Sequence, residues 1–377
     1  MYAPTVSDYM RRLLLDELAA LDEIERAGAP PVRHGDRRCV LPWMPLGEFP
    51  TPVERIADAP PGLGSLWQKR DDLAGQRYGG NKIRKLEFIL GAAAAGGATR
   101  LATIGGIGSH HVLATAIYGA ERGFEVAAVV FPQPLNDHVR EQLLADAAVG
   151  LRFYASSSYL TVPLAWIGAR RGRRWVEAGG SSVAGVLGYV AAAFELRRQI
   201  DAGELPEPDV IYLALGSCGS AAGLWAGLAL AGLTKTRLVA VRVVERIVCN
   251  EAKTRRLARA ALARLDRSAP ALPPLVVEHR QFGGAYGRAT EAGLAACRWA
   301  EPRGLVLEPT YTGKTMAALL ADAERGALAQ QHVLFWNTFS SRPMAPLLAH
   351  APSVPQLPPA LQRYFPRSLD AAGGSHA

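Results

Sequence analysis

Short apolar runs alternate with helical patterns along most of the chain. The run Leu101 to Ile104 precedes a helical pattern near His111 to Arg122, and the run Val126 to Phe131 precedes another over Asp137 to Ala147. A similar series extends from about residue 210 to residue 336. Such alternation is typical of βαβ units that build a parallel sheet. The pattern predicts an α/β protein with two three-layer α/β/α domains and mostly parallel sheets.

Residues 201–209, DAGELPEPD, form the predicted crossing between the two series, because the segment is acidic and contains two prolines. The pattern from 45 onward precedes both series, and we expect its early part to pack with the second one. After Pro352 the chain is rich in Pro, Gly and Ala, which favours a mobile tail. The predicted divisions are an N-terminal helical extension at 1–44, a large domain at 45–90 and 200–350, a small domain at 91–199, and the tail at 351–377.

The composition is that of an ordinary folded protein. The chain has 377 residues, of which 49% are hydrophobic and 20% charged, and this length is enough for two packed domains. The formal net charge is +8, but the arginines are scattered in pairs without interleaved aromatic residues. We therefore expect small molecules rather than nucleic acid as partners. The leucine-rich N-terminal segment carries acidic residues and reads as an amphipathic helix, so we expect neither a secretory signal nor a membrane partner.

The cysteines and histidines argue against a metal site. The four cysteines lie far apart and form no Cys-x-x-Cys pair, which is typical of a protein in a reducing cytoplasm. His110 and His111 are adjacent, and adjacent side chains on a helix diverge by about 100°, so the pair is poorly placed to bind one ion. We predict a cytoplasmic protein without a metal.

Lys82 stands out within the stretch YGGNKIRKLEF. Only six of the 42 basic residues are lysines, and a chain that uses arginine for charge can keep lysine for chemistry that needs a neutral amine. Two glycines precede Lys82 and allow close backbone approach, and Asn81 offers an amide. The alternative is a helix start capped by Asn81, with Lys82 and Lys85 as solvated charges.

Two turns between a predicted strand and a predicted helix present backbone N–H groups. The segment Gly216 to Ser220 suits a phosphate at the positive end of a helix dipole, although it could be a plain βα turn. The turn that ends in Ser109 could hold a carboxylate, with His110 and His111 beside it, or Ser109 could simply cap a helix that carries two surface histidines.

Two tyrosines, Tyr286 and Tyr311, stand near glycine-rich turns. Tyrosines in such places can stack on a ring or transfer protons, but in most proteins they pack.

Taken together, these segments resemble the D-cysteine desulfhydrase and 1-aminocyclopropane-1-carboxylate deaminase family. The resemblance covers roughly residues 45 to 345, and its lysine block is strongly diagnostic. Enzymes of this family use pyridoxal 5'-phosphate and share the fold type of the tryptophan synthase β-subunit, so the large domain is expected to bind the cofactor and the small one to lie on the substrate side. The matching segments are QKRDDLAGQRYGGNKIRKLEF, TIGGIGSHH, EAGGSSVAGVLGYVAAAFEL, ALGSCGSAAGL and GLVLEPTYTGKTMAAL.

The resemblance implies roles for particular residues. Lys82 would form the Schiff base with the cofactor, and Asn81 would bind the cofactor's 3′-oxygen. Ser109 would contact the substrate carboxylate and take part in proton transfer, with His110 and His111 beside the substrate. Further expected site residues are the phosphate turn Gly216, Ser217, Cys218, Gly219 and Ser220, the active-site tyrosines Tyr286 and Tyr311, Thr312 at the cofactor's ring nitrogen, and Thr338.

The family's chemistry predicts a lyase that acts on a small amino acid by α,β-elimination and releases a 2-oxo acid, ammonia and, from a sulfur-bearing substrate, sulfide. A homodimer is expected. The alternatives are a β-replacement synthase, a racemase, and a non-catalytic protein that binds pyridoxal phosphate or an amino acid.

Thr312 bears on the reaction. The deaminases carry an acid at this place, whereas Thr312 resembles the desulfhydrase branch, and a hydroxyl stabilises a protonated ring nitrogen poorly, which favours β-elimination over cyclopropane opening.

Three departures from the family bear on the substrate. His110 replaces an asparagine, Phe339 stands where the family has glycine, and the N-terminal extension of some forty residues could cover the site or join subunits. His110 could bind a second anionic group, act as an acid toward the leaving group, or be a neutral replacement.

Overall fold

The computed structural model describes residues 41–265, 267 and 271–365. These described residues form two compact units, the first within the ranges 41–99 and 176–342 and the second within 100–175 and 343–365. The strands are β1 (Val53–Arg55), β2 (Ser65–Lys69), β3 (Arg100–Gly106), β4 (Glu125–Phe131), β5 (Arg152–Ala155), β6 (Arg174–Trp175), β7 (Val210–Leu215), β8 (Arg237–Arg242), β9 (Leu275–Glu278) and β10 (His332–Trp336). The helices are α1 (Lys82–Ala95), α2 (His110–Glu121), α3 (Asp137–Ala148), α4 (Val162–Arg170), α5 (Val183–Asp201), α6 (Gly219–Leu230), α7 (Glu251–Arg264), α8 (Glu291–Ala300), α9 (Thr312–Glu324), α10 (Ala345–Leu348) and α11 (Pro359–Gln362).

The first unit contains a six-stranded sheet in the order β1-β2-β10-β7-β8-β9. β1 pairs antiparallel with β2, and the other neighbours are parallel. Every residue of β7 is buried, as expected for a parallel strand covered on both faces, and this burial explains its continuous apolar run. The core beside this sheet includes Tyr212, Met316, Leu319 and Phe335.

The second unit contains a four-stranded parallel sheet in the order β5-β4-β3-β6. Its core brings together Ala102, Ala127, Val129 and Ala169. Small side chains at these positions let α4 approach β3 and β4 closely. The predicted fold class, an α/β protein with two mostly parallel sheets, is confirmed.

The division between the units differs from the predicted boundary at residue 199. Helix α5 belongs to the first unit, because it packs against α1 and α6 and its buried carboxylate Glu195 binds Lys69 and Arg84, whose Nζ and Nη2 atoms lie 2.5 and 2.9 Å from Glu195 Oε1. The segment 201–209 consequently connects two elements of one unit, α5 and β7, and does not cross between units.

Part of the predicted tail is packed. Leu357 and Leu361 are buried, and the Nε–H group of Arg140 donates to the carbonyl of Tyr364 at 3.0 Å within the second unit. The residues after 365, and most of the predicted N-terminal extension, lie outside the described residues.

The range Ala178–Asp201 is long and apolar enough to cross a membrane by length and composition, but 72% of its apolar window is buried inside the protein. Such burial is typical of a core helix, so this range is weak evidence for a membrane span.

Candidate active site

Lys82 begins helix α1, and Asn81 before it does not cap the helix. Asn81 has helical backbone angles, φ −63° and ψ −13°, and its side chain makes no capping bond. Its amide instead lies between two site groups: Nδ2 donates to Ser220 Oγ at 3.0 Å, and Oδ1 accepts from Lys82 Nζ at 2.6 Å. The alternative of a plain capped helix start with solvated lysines is therefore wrong.

Lys82 is half-buried, and its amine is largely enclosed by protein. Burial lowers its pKa to about 8, and the carboxylate of Glu308 opposes this shift. Near neutral pH a fraction of this amine is uncharged, which an ordinary surface lysine does not achieve.

Gly80 allows the segment that follows strand β10 to lie close to Asn81. Gly80 has φ +92°, and a Cβ atom there would lie 2.8 Å from the carbonyl oxygen of Phe339 and 2.9 Å from that of Thr338. The Asn81 N–H group donates to the Thr338 carbonyl at 3.2 Å. A side chain at position 80 would be strained in φ and would collide with backbone, so this glycine places Thr338 beside Asn81.

The predicted phosphate turn connects β7 to α6. Cys218 precedes the helix in a left-handed conformation, with φ 77°, and the N–H group of Gly219 donates to Ser181 Oγ at 3.0 Å. The hydroxyls of Ser181 and Ser217 lie 2.7 Å apart. Backbone N–H groups, hydroxyls and the positive end of the α6 dipole meet here, and this combination fits a phosphate group.

Lys85 was not predicted as a site residue, yet it is 2% exposed. Its Nζ donates to the carbonyl of Gly179, and burial holds its pKa well below the ordinary value, with Lys82 lowering the pKa further and Cys218 opposing both. Its spacing from Lys82 could have indicated this, because residues three apart on a helix share a face. Lys85 adds a second amine to the group formed by Lys82 and the turn.

Tyr286 and Tyr311 form a pair. The Tyr311 hydroxyl donates to the Tyr286 hydroxyl at 3.0 Å, and the ring centroids are 6.2 Å apart at an interplanar angle of 70°. Burial raises the pKa of Tyr311 well above its ordinary value, so this phenol remains protonated at neutral pH.

Thr312 is fully buried at the first position of α9. Its hydroxyl oxygen accepts a hydrogen bond from the backbone N–H group of Glu308 at 2.9 Å. The two atoms that could accept the hydroxyl proton, the carbonyl oxygen and Oε1 of Glu308, both lie 3.4 Å away. A hydroxyl with one well-formed accepted bond and long donated bonds can donate to a ring nitrogen, so this residue fits the expected contact.

The second unit holds Ser109, His110 and His111. Ser109 caps α2, its Oγ accepting from the N–H group of Val112 at 3.4 Å. His111 is 3% exposed, and its Nε2 lies 2.8 Å from Thr103 Oγ1. His110 Nδ1 lies 2.7 Å from Gln142 Nε2. Ser109 is a capping serine, but the alternative of two surface histidines is wrong for His111.

A largely enclosed amine on an α/β unit, joined through one amide to a turn that can hold phosphate, fits the class of enzymes that bind a phosphorylated aldehyde cofactor. Residues 44–338 match the family of pyridoxal-phosphate dependent enzymes. The match spans more than half of the chain, and the chain belongs to this family.

Three similar proteins narrow the comparison. A D-cysteine desulfhydrase of Serratia proteamaculans is 31% identical over 309 residues, covering 74% of this chain and 88% of that protein. The nocardicin C-9' epimerase of Nocardia uniformis subsp. tsuyamanensis is 36% identical over 318 residues, covering 80% and 94%. A crystal structure of an ACC deaminase homologue has a TM-score of 0.69 at 29% identity, covering 82% of this chain and 96% of that one. The predicted cofactor, enzymatic character and lyase or deaminase class are confirmed.

Proposed function

We propose that this enzyme eliminates a β-substituent and ammonia from a small amino acid, with D-cysteine as the first substrate to test. The observation that carries the proposal is Lys82, an enclosed amine with a pKa of about 8 that is hydrogen-bonded to Asn81. An amine with this pKa accepts and returns a proton near neutral pH. When bound, pyridoxal phosphate supplies an electron sink for charge that develops at the substrate Cα.

The residues of the first unit suit this chemistry in separate ways. Lys82 is proposed to hold the cofactor covalently and to move the Cα proton, and Asn81 to bind the cofactor's 3′-oxygen. The turn Gly216 to Ser220 is proposed to bind the phosphate, with the amine of Lys85, whose pKa burial lowers, as a hydrogen-bonding group beside it. Thr312 is proposed to donate to the ring nitrogen, and Thr338 to border the cofactor.

The substrate contacts are proposed from the resemblance. Ser109 is proposed to bind the substrate carboxylate, with His110 and His111 beside it, while the Tyr286 and Tyr311 hydroxyls exchange protons near the leaving group. The His110→Asn variant tests specificity: an unchanged ranking across a panel of D- and L-amino acids would remove His110 from this role.

A substrate screen tests the proposed reaction. The purified enzyme with pyridoxal phosphate is expected to release pyruvate from D-cysteine or another β-substituted alanine faster than it releases 2-oxobutanoate from 1-aminocyclopropane-1-carboxylate, because Thr312 is neutral. The opposite order would contradict the role given to Thr312.

Running the same screen in deuterium oxide distinguishes elimination from epimerisation, the activity that the nocardicin C-9' epimerase name states. Elimination yields a 2-oxo acid and ammonia. Epimerisation yields the inverted amino acid with deuterium at Cα and no 2-oxo acid, and that result would overturn the lyase proposal.

We also propose a cytoplasmic homodimer. The cytoplasmic assignment rests on the spacing of the cysteines, and the dimer on the family resemblance. Light scattering coupled to size-exclusion chromatography measures the mass directly: a value near 40.3 kDa would correspond to one chain and would contradict the dimer.

A further inference from the structure

Glu308 is a buried carboxylate outside the set of predicted site residues. It is 6% exposed and accepts the N–H groups of three consecutive residues. Its Oε2 accepts from Thr310 at 2.7 Å, and its Oε1 accepts from Tyr311 at 2.7 Å and from Thr312 at 2.9 Å. Hydrogen bonds from N–H groups to a carboxylate are shorter and stronger than those to a neutral oxygen, so Glu308 fixes the backbone that leads into α9.

Two of these three residues carry proposed site groups. The Tyr311 hydroxyl belongs to the tyrosine pair. The Thr312 hydroxyl accepts a hydrogen bond from the backbone N–H group of Glu308 at 2.9 Å. The positions of both hydroxyls relative to the rest of the unit consequently depend on one acidic residue.

The partner tyrosine is held in the same manner. The N–H group of Tyr286 donates to a carboxylate oxygen of Glu245 at 3.1 Å. Lys314, which is fully buried, donates to the carbonyl of Phe282 at 2.8 Å, in the segment that leads to Tyr286. Burial lowers the pKa of Lys314 to about 8, and Glu308 and Glu245 both oppose this shift. The backbone of each tyrosine is thus held by a carboxylate, and the charges of both carboxylates, Glu308 and Glu245, act on Lys314.

We propose that Glu308 is a positioning residue for the reaction, which holds Tyr311 and Thr312 at the start of α9 through hydrogen bonds from their N–H groups. This role rests on the proposed function, because the positions of Tyr311 and Thr312 affect turnover only if these residues face the cofactor. The charge of Glu308 also opposes the lowering of the Lys82 pKa that burial causes. This second part is independent of turnover and can be measured in cofactor-free protein.

The Glu308→Gln variant tests both parts. Glutamine keeps the shape and one acceptor oxygen but removes the charge. We expect kcat to fall by about 10-fold or more, as for lost preorganisation at a reacting site, with a smaller change in KM. In the cofactor-free protein, the pH midpoint for covalent labelling of Lys82, followed by peptide mass spectrometry, is expected to move to lower pH, because the charge that favours the protonated amine is lost.

A matched control is Glu87→Gln. Glu87 is also a buried carboxylate, 1% exposed, and its Oε1 accepts the N–H groups of two successive residues, Leu46 at 3.0 Å and Gly47 at 3.1 Å. Its substitution is expected to alter stability without moving the Lys82 midpoint or kcat. If Glu308→Gln behaves like Glu87→Gln in all three measurements, Glu308 is only a structural acceptor and the proposal is wrong.

Two further results separate the possible failures. Glu308→Asp keeps the charge but retracts the carboxylate, so kcat is expected to fall while the pH midpoint for labelling of Lys82 stays near that of the wild type. This variant is used instead of Glu308→Gln if the latter does not fold. A wild-type kcat in Glu308→Asp would overturn the positioning role. If the wild-type holoenzyme turns over no amino acid, the proposed function fails, but an unshifted Lys82 midpoint in Glu308→Gln would still overturn the electrostatic part on its own.

Discussion

Lys69 and Lys82 lie thirteen positions apart in the same unit, and both are enclosed, but their amines have different neighbours. Lys69 Nζ donates to the carbonyl of Thr51 at 2.5 Å, to Glu195 at 2.5 Å and to the side-chain oxygen of Gln199 at 2.6 Å. Lys82 Nζ donates to the neutral amide oxygen of Asn81. An amine with three acceptors, one of them charged, has no free position for chemistry.

The charges around Lys69 are balanced. Lys69, Arg84, Asp71 and Glu195 all have side chains that are 0% exposed, and they form one ion network. Burial alone would raise the pKa of Glu195, but Arg84 and Lys69 together lower it to about 2. The network joins β2, α1 and α5 and holds the helix that begins with Lys82. Lys69 therefore stabilises the fold, whereas the amine of Lys82 is available to react.

The largest expected effect comes from Lys82→Ala. We expect the rate of amino-acid turnover to fall by more than about 1000-fold, because the variant loses the proposed covalent anchor, which is also the proposed proton-transfer group, and proton transfer alone contributes about 10²- to 10⁴-fold. The absorbance band of the covalently bound cofactor should also disappear.

The stability of the cofactor-free Lys82→Ala protein is the control. We expect it to change little or to rise at neutral pH, since burying the amine lowers its pKa and therefore disfavours its charged form. Turnover close to that of the wild type would show that Lys82 is a second structural lysine.

The second prediction concerns Lys69→Met. The substitution leaves Glu195 buried with one cation fewer, and breaking a buried ion pair by removing one partner costs about 3–5 kcal/mol. Urea unfolding followed by circular dichroism should show the loss, while the folded fraction keeps its turnover number.

The double variant Lys69→Met with Glu195→Leu removes both charges of the pair and is expected to recover part of that stability. If Lys69→Met unfolds at the same urea concentration as the wild type, the ion network does not stabilise the folded unit.

Lys69 and Lys82 also show which features the sequence can predict. The scarcity of lysine singled out Lys82, which is half-buried, but Lys69, Lys85 and Lys314 are buried, so scarcity does not indicate the role of a lysine. Local patterns did predict most of the strands, the turns between strand and helix, and the start of α1 near Lys82, because these depend on periodicity and on glycine within a few residues. The short strands β1, β2 and β6 were not predicted.

Contacts between distant residues were not predictable in this way. Glu195 binds Lys69 across 126 positions, and this pairing adds to the packing of α5 on α1 and α6 within the first unit. Glu308 binds backbone N–H groups, which every residue type except proline offers, so no pattern of side chains marks it. Its place before Pro309 and Thr310 reads as an ordinary turn.

The smallest expected effect is the contribution of Lys82 to the dependence of stability on pH. The folded protein releases the Lys82 proton near pH 8, whereas the unfolded chain holds it to about pH 10.5. Between these values the unfolded state binds more protons, so the free energy of unfolding rises with pH. A shift of this size corresponds to at most about 3 kcal/mol. Buried Lys69, Lys85 and Lys314, whose pKa values burial also lowers, add their own rise, so the informative quantity is the difference between the wild type and Lys82→Ala. Urea midpoints measured from pH 7 to 10.5 should show a smaller rise in the variant, and equal slopes would mean that the Lys82 amine is not held in an environment that disfavours its charge.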